Sequence, residues 1–240
     1  MRNKHRITSI GAGLLALLIL APAHGGTINK SIKIEAGSEA GGQSSVNGSI
    51  SVGKGAVING SLETVNGSIR VEEDVSLEDA ETVNGTIRIA SGSSADDIGS
   101  VNGAIRLGEN VTVSGEIEVV NGKISLANGT RVADDVSNVN GEITLTAADI
   151  GGDLTTVNGD ITLNDGSTLR GDLIVEKPGG WGWNNKKRKP KVIIGPNSSV
   201  VGSIVLEREV ELFISDSANV GGVSGEMSLD DAIRFSGDRP

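Results

Sequence analysis

Residues 64–71 read Thr64-Val65-Asn66-Gly67-Ser68-Ile69-Arg70-Val71, and residues 82–89 repeat them as Thr82-Val83-Asn84-Gly85-Thr86-Ile87-Arg88-Ile89. Working outward from this pair, Val-Asn-Gly recurs with its Asn at Asn47, Asn66, Asn84, Asn102, Asn121, Asn140 and Asn158, always 18 or 19 residues apart. Self-similarity at so regular a period is the signature of a repeat architecture. Four and six residues after each Val stand apolar residues, for example Ile69 and Val71, Ile105 and Leu107, or Ile161 and Leu163. That two-residue alternation places both side chains on one face of a short strand. Less regular apolar positions such as Val75 and Leu77, or Val111 and Val113, follow before the next repeat, so about three short strands and three corners fill each period. Glycine in every repeat and the dominance of β-branched residues argue against helices. Asn-Gly favours a backbone with positive φ, which predicts a corner at each Val-Asn-Gly. A hairpin array would need matched strands on both sides of each Asn-Gly, yet the apolar run before it is usually a single Val.

The pattern predicts an all-β chain: a single-stranded parallel β-solenoid with coils of 18–19 residues spanning about residues 28–225. Stacking such coils roughly 4.8 Å apart puts the seven Asn residues in one column of structural corners, suited to side-chain amide ladders. Composition agrees. The 240 residues include 35 Gly, two Phe, two Trp, no Tyr and no Cys, so burial must come from thin layers of Val, Ile, Leu and Ala.

The TVNGSIRV, TVNGTIRI and TVNGDITL units resemble the repeats of a bacterial adhesin-type domain family of unknown function. The stretch Val192-Ile193-Ile194-Gly195-Pro196-Asn197-Ser198-Ser199-Val200-Val201-Gly202-Ser203-Ile204, with Val210-Glu211-Leu212 and Val220-Gly221-Gly222, is similar to the coils of bactofilins, the polymer-forming cytoskeletal proteins. The first resemblance implies an adhesin-like role and the second polymerisation; both imply a right-handed solenoid.

Arg2, Lys4 and Arg6 precede the apolar run Ile10 to Ala21 and the small-residue triplet Ala21-Pro22-Ala23. This is the layout of a secretory signal peptide, residues 1–23, too short in its apolar part to span a bilayer. The expected mature chain, residues 24–240, has no transmembrane anchor and is periplasmic, on the cell surface or secreted. Cleavage removes three of 21 basic residues and none of 31 acidic ones, moving the net charge from −10 to −13. So acidic a chain is not expected to bind nucleic acid.

The repeat breaks at residues 177–191, KPGGWGWNNKKRKPK, which hold both Trp residues and six of the mature chain's 18 basic residues. Trp181, Trp183, Lys186, Lys187, Arg188, Lys189 and Lys191 form a candidate binding patch for an anionic envelope polysaccharide or lipid. The competing reading is a solvated excursion whose Trp residues pack on the solenoid. A second candidate is the outward column Arg70, Arg88 and Arg106, either an anion ladder or a face ion-paired by Glu63, Glu81 and nearby carboxylates. At the C-terminus, residues 226–240 are expected to cap the last coil, with Ser228 and Asp231 opening a short helix.

The mature chain holds one His, His24, so neither a Ser-His-Asp triad nor a His-based zinc site can be assembled. The pairs Asp96-Asp97, Asp134-Asp135 and Asp230-Asp231 could in principle do glycosidase work, but adjacent residues on a strand point to opposite faces. No catalytic residue, cofactor or metal is expected. The sequence thus predicts an exported, non-catalytic structural or adhesin-like scaffold of the bacterial envelope, self-assembling end to end. The alternatives are an envelope-binding module acting through the 177–191 loop and a carbohydrate-active β-helix.

Overall fold

The computed structural model of the chain describes residues 28–179 and 188–240; the expected signal peptide lies outside them. The backbone winds as a β-solenoid with three parallel sheets running its length. The first sheet has 11 strands, from Ile32–Ile34 through Ile69–Val71 and Ile161's strand Asp160–Asn164 to Ile233–Phe235. The second has seven short strands, from Ser94–Ala95 to Asn219–Val220. The third has ten, from Glu39–Ser45 to Val223–Gly225, and leads through the Val-Asn-Gly corner back to the first. Every rung steps one coil along the sequence: Ile50 pairs with Ile69, Ile69 with Ile87, Ile87 with Ile105. The 177–191 insert enters between rungs, so Ile161 pairs with Val192 and Leu173 with Ile204 while the register continues undisturbed.

Inward residues at the two alternating positions of the first sheet are almost fully buried, from Ile50 and Val52 to Leu212 and Ile214. The second sheet adds Ala95, Val113, Val132, Ile150, Leu169 and Val200, and the third Leu62, Ile98, Ile117, Leu154, Leu173 and Ile204. Each large side chain so buried contributes about 1.5–3 kcal/mol, and because every coil adds the same layer, the core grows with length and needs no aromatic anchor.

The corners differ from expectation in their cause. Among the Val-Asn-Gly glycines only Gly141 has a positive φ, 132°. The others are required by close approach. A Cβ on Gly67, Gly85, Gly103 or Gly122 would penetrate the carbonyl oxygen of the corner glycine one coil before. The left-handed conformation belongs instead to the corner between the first and second sheets, where Gly37, Gly55, Asp74, Gly92, Asn110, Gly129 and Ala147 take φ of 47–74°. Gly, Asn and Asp tolerate that region; Ala147 occupies it without such help.

The predicted amide ladder is present. Each Asn Nδ2 donates to the Oδ1 of the Asn one coil before: Asn66 to Asn47 at 2.9 Å, Asn84 to Asn66 and Asn102 to Asn84 at 3.0 Å, through Asn158 to Asn140 at 3.1 Å. The first rung is Asn29, which accepts from Asn47 at 2.8 Å. Inside the corner, the hydroxyls of Thr64 and Thr82 donate to the carbonyls of Gly48 and Gly67 at 2.9 and 3.0 Å, satisfying groups the tight turn would strand.

At the C-terminus the expected helix is a single 3-10 turn, Leu229–Asp231. The Ser228 backbone N–H and hydroxyl both donate to Asp231 Oδ2, at 2.8 and 2.9 Å. Met227 and Ala232 pack on the core, and the chain then rejoins the first sheet as Ile233–Phe235 beside Phe213–Ser215. The cap is therefore a turn plus one more strand, since three helical residues cannot cover a triangular end.

The two corner residues should separate in a denaturation series. Asn102→Ala removes two exposed amide bonds and should cost about 1–2 kcal/mol. Gly103→Ala forces two backbones apart and should cost more than about 3 kcal/mol or prevent folding. Equal costs would overturn the assignment of close approach as the dominant constraint.

Candidate functional site

The insert leaves the solenoid where the next Val-Asn-Gly corner would stand, and its described base is tied to acidic coil residues. The Arg188 guanidinium donates to the Asp160 carboxylate, whose other oxygen accepts from the Lys191 backbone N–H at 2.8 Å. Lys189 Nζ lies 2.7 Å from Glu209, holding that exposed carboxyl below its ordinary pKa. Lys191 Nζ stands 5.4 Å from the centroid of the Phe213 ring, a cation–π contact. Three of the seven candidate binding residues thus have structural partners at the loop's root; Trp181, Trp183, Lys186 and Lys187 lie outside the described residues.

Sequence reasoning missed the residue that joins loop and ladder. Arg208 Nη1 donates 2.9 Å to Asn158 Oδ1 and 3.2 Å to the Val157 carbonyl, while Nη2 donates 3.1 Å to the Arg188 carbonyl. It fills the rung that the insert displaced and, having no acceptor, terminates the column. The available signal was its position: Leu206-Glu207-Arg208-Glu209 stands where the repeat calls for the corner. Asn29 was legible in the same way, 18 residues before Asn47.

Arg70, Arg88 and Arg106 come together as expected, consecutive rungs of the first sheet with exposed side chains. The expected pairing with Glu63 and Glu81 does not occur. Those two pair with each other across the third sheet, around the Val-Asn-Gly corner, and the same outward column continues through Gly99 to Glu118. Among the described residues none of the three guanidiniums has an ion-pair partner. The error arose because adjacency in sequence crosses a corner: side chains seven residues apart look out from different faces.

On the third face, burial pushes the Glu81 carboxyl up to about 7, reinforced by Glu63, Asp79, Asp97 and Glu118. Burial likewise raises Glu118 to about 7, with Glu116, Asp97 and Asp135 adding to the effect. Glu63 is raised by burial and by Asp79. The corner acids are fixed in place: Asp97 Oδ1 accepts from the Glu116 N–H at 2.8 Å, Asp135 from Asp153 N–H at 2.7 Å, and Asp153 from Asp172 N–H at 2.8 Å. Asp96 accepts from the Ser114 hydroxyl. The candidate acid pairs Asp96-Asp97 and Asp134-Asp135 therefore sit at coil corners, with Asp96, Asp97 and Asp135 holding successive coils together. A shallow groove nearby is lined by Asn59, Ser76, Glu78, Ser94, Asp96 and Thr112.

Among the described residues no group of three or more His, Cys, Asp or Glu is arranged to hold a metal ion, and no helix is long and apolar enough to cross a membrane. No protein-family model, curated protein or solved structure matches the chain.

Two measurements address this geometry. Arg208→Ala should speed amide exchange at Asn158 and around Arg188 and lower stability by about 1–2 kcal/mol; unchanged exchange would mean the loop root holds without it. Glu81 binds more protons folded than unfolded between its ordinary pKa of 4.5 and about 7, so its contribution to stability falls as pH rises through that window. Glu81→Gln should therefore match the native chain near pH 4 and exceed it above pH 7, by about 1–2 kcal/mol after solvent screening. A pH-independent difference in chemical denaturation would refute this.

Proposed function

We propose that this chain is an exported, non-catalytic structural rod of the bacterial envelope whose solenoid ends stack on further copies. The observation that supports the reading is that, among the described residues, no strand pairs with the outer strand edges of the first and last coils. The first coil presents Ile32–Ile34 and Glu39–Ser45; the last presents Asn219–Val220, Val223–Gly225 and Ile233–Phe235. Strand edges and apolar residues such as Ile28, 70% exposed, and Ile233, 54% exposed, are features that soluble β proteins ordinarily cover. All strands run one way, so stacking head to tail would continue each sheet with its polarity kept. The signal-peptide layout of residues 1–23 supports export, and the adhesin-type and bactofilin-like repeats support a structural role.

The engagement of Arg188, Lys189 and Lys191 with the coil favours a rod over a module acting through the insert. Sedimentation and negative-stain imaging of residues 24–240 across a concentration series tests the reading. Rods should lengthen with concentration at constant width. A strictly monomeric protein would refute end stacking and shift attention to Trp181 and Trp183.

A further inference from the structure

Two columns of charge on this molecule have no ion-pair partner among the described residues. Arg70, Arg88 and Arg106 occupy three successive rungs of the first sheet, followed by Ser51 on one side and Ser125 on the other. Like charges directly opposite one another in a sheet repel, and here the repulsion is repeated at strand spacing, roughly 4.8 Å, without an ion-pair partner among the described residues. On the third face Glu63, Glu81 and Glu118 form the corresponding outward column, interrupted only by Gly99. They are half-buried, and Glu81 Oε2 is a buried oxygen without a hydrogen-bond donor. Both columns belong to one solenoid, so their pitch is the same by construction. A guanidinium ladder and a carboxylate ladder of equal pitch are complementary along their whole length, whereas an unrelated ligand would match it only by coincidence.

We infer that the arginine column of the first face docks on the glutamate column of the third face of a second copy, associating solenoids side by side. In a parallel apposition Arg70 and Arg88 meet Glu63 and Glu81, and Arg106 lies over Gly99 with Glu81 and Glu118 on either side. The contact is heterologous, leaving the glutamate face of one copy and the arginine face of the other unfilled, so it propagates or closes into a ring. It deepens the scaffold reading by naming the partner as the chain itself, yet it uses the sides of the rod and not its ends. Pairing with arginine lowers the pKa of a carboxyl. Association therefore releases protons from Glu81 and Glu118, whose facing groups Glu63, Asp79, Asp97, Glu116 and Asp135 are all acidic, and it strengthens from about pH 6 to about pH 8.

The test uses residues 24–240 in sedimentation velocity and negative stain, at about 20 mM and about 500 mM salt, where screening lengths differ severalfold. At low salt particles should widen with concentration, and high salt should reverse this. The triple variant Arg70→Glu, Arg88→Glu, Arg106→Glu should lose about tenfold or more in lateral association, as should Glu63→Lys, Glu81→Lys, Glu118→Lys. Mixing the two variants should restore it, since each then carries the sign the other lacks. Should the half-buried glutamate variant fail to fold by circular dichroism, Arg70→Gln, Arg88→Gln, Arg106→Gln, all at exposed positions, keeps the test decisive. Width that persists at high salt, or in the arginine variants, overturns the proposal. So does a wild-type chain that never widens; if that chain instead binds polyphosphate through the three arginines, the column is a polyanion site. Rods that lengthen but do not widen refute lateral docking while sustaining end stacking, and the converse separates the two the other way.

Discussion

The whole structure depends on how closely one coil can lie on the next at the Val-Asn-Gly corner. There the backbone of each corner glycine from Gly67 to Gly159 rests against the carbonyl oxygen of the glycine one coil earlier, with no room for a Cβ. Once that approach is fixed, the Asn side chains fall within hydrogen-bonding distance of each other, about 3 Å rung to rung. The inward Ile and Leu stack into continuous columns, and the backbone N–H and C=O groups find partners in neighbouring coils. Stability is then a sum of near-identical layers and interfaces between neighbours, which explains how a chain with two Phe and two Trp can dispense with a conventional core.

The same constraint decides what the insert can do. Extra chain is tolerated only where it does not change the register of the sheets, and the corner between third and first sheets meets that condition: strands on either side of residues 177–191 pair as though nothing intervened. The displaced rung is taken by Arg208, whose fork reaches Asn158 and the Arg188 carbonyl together. A lysine offers a point charge in place of that planar array of donors. The cationic residues at the root of the insert are thus explained by the acids beneath them, Asp160 and Glu209, before any ligand is invoked.

Much of the fold was legible because its cause is periodic. Seven Asn at spacings of 18 or 19 residues fixed the coil, the number of corners and the ladder. The reason for the glycine was not legible, because a positive φ and a close contact select the same residue; only the three-dimensional stack shows that the left-handed corner lies elsewhere, at Gly55, Gly92 and Gly129. Single-copy features carry a weaker signal, their position alone. Arg208 and Asn29 do not repeat the tripeptide, and the misassigned pairing of Arg70 and Arg88 with Glu63 and Glu81 came from counting distance along the chain across a corner.

Periodicity also has an electrostatic consequence that a net charge conceals. A globular fold scatters repeated residues over its surface, whereas a solenoid turns each repeat position into a line, so a charge chosen at one position in three coils becomes a ladder of like charges. The formal −10 of this chain is therefore an average over unlike sides: the first face carries three stacked guanidiniums, while the third gathers Glu63, Glu81 and Glu118 with a row of corner aspartates. Keeping such ladders apart leaves both without an ion-pair partner among the described residues, and burial on the glutamate side raises the cost until two carboxyls hold protons near neutrality. A column of unpaired like charges is a standing liability for a rod that functions alone. It becomes a stabilising feature when a column of opposite sign and equal pitch is brought against it, and another copy of the same solenoid supplies that pitch without further adjustment.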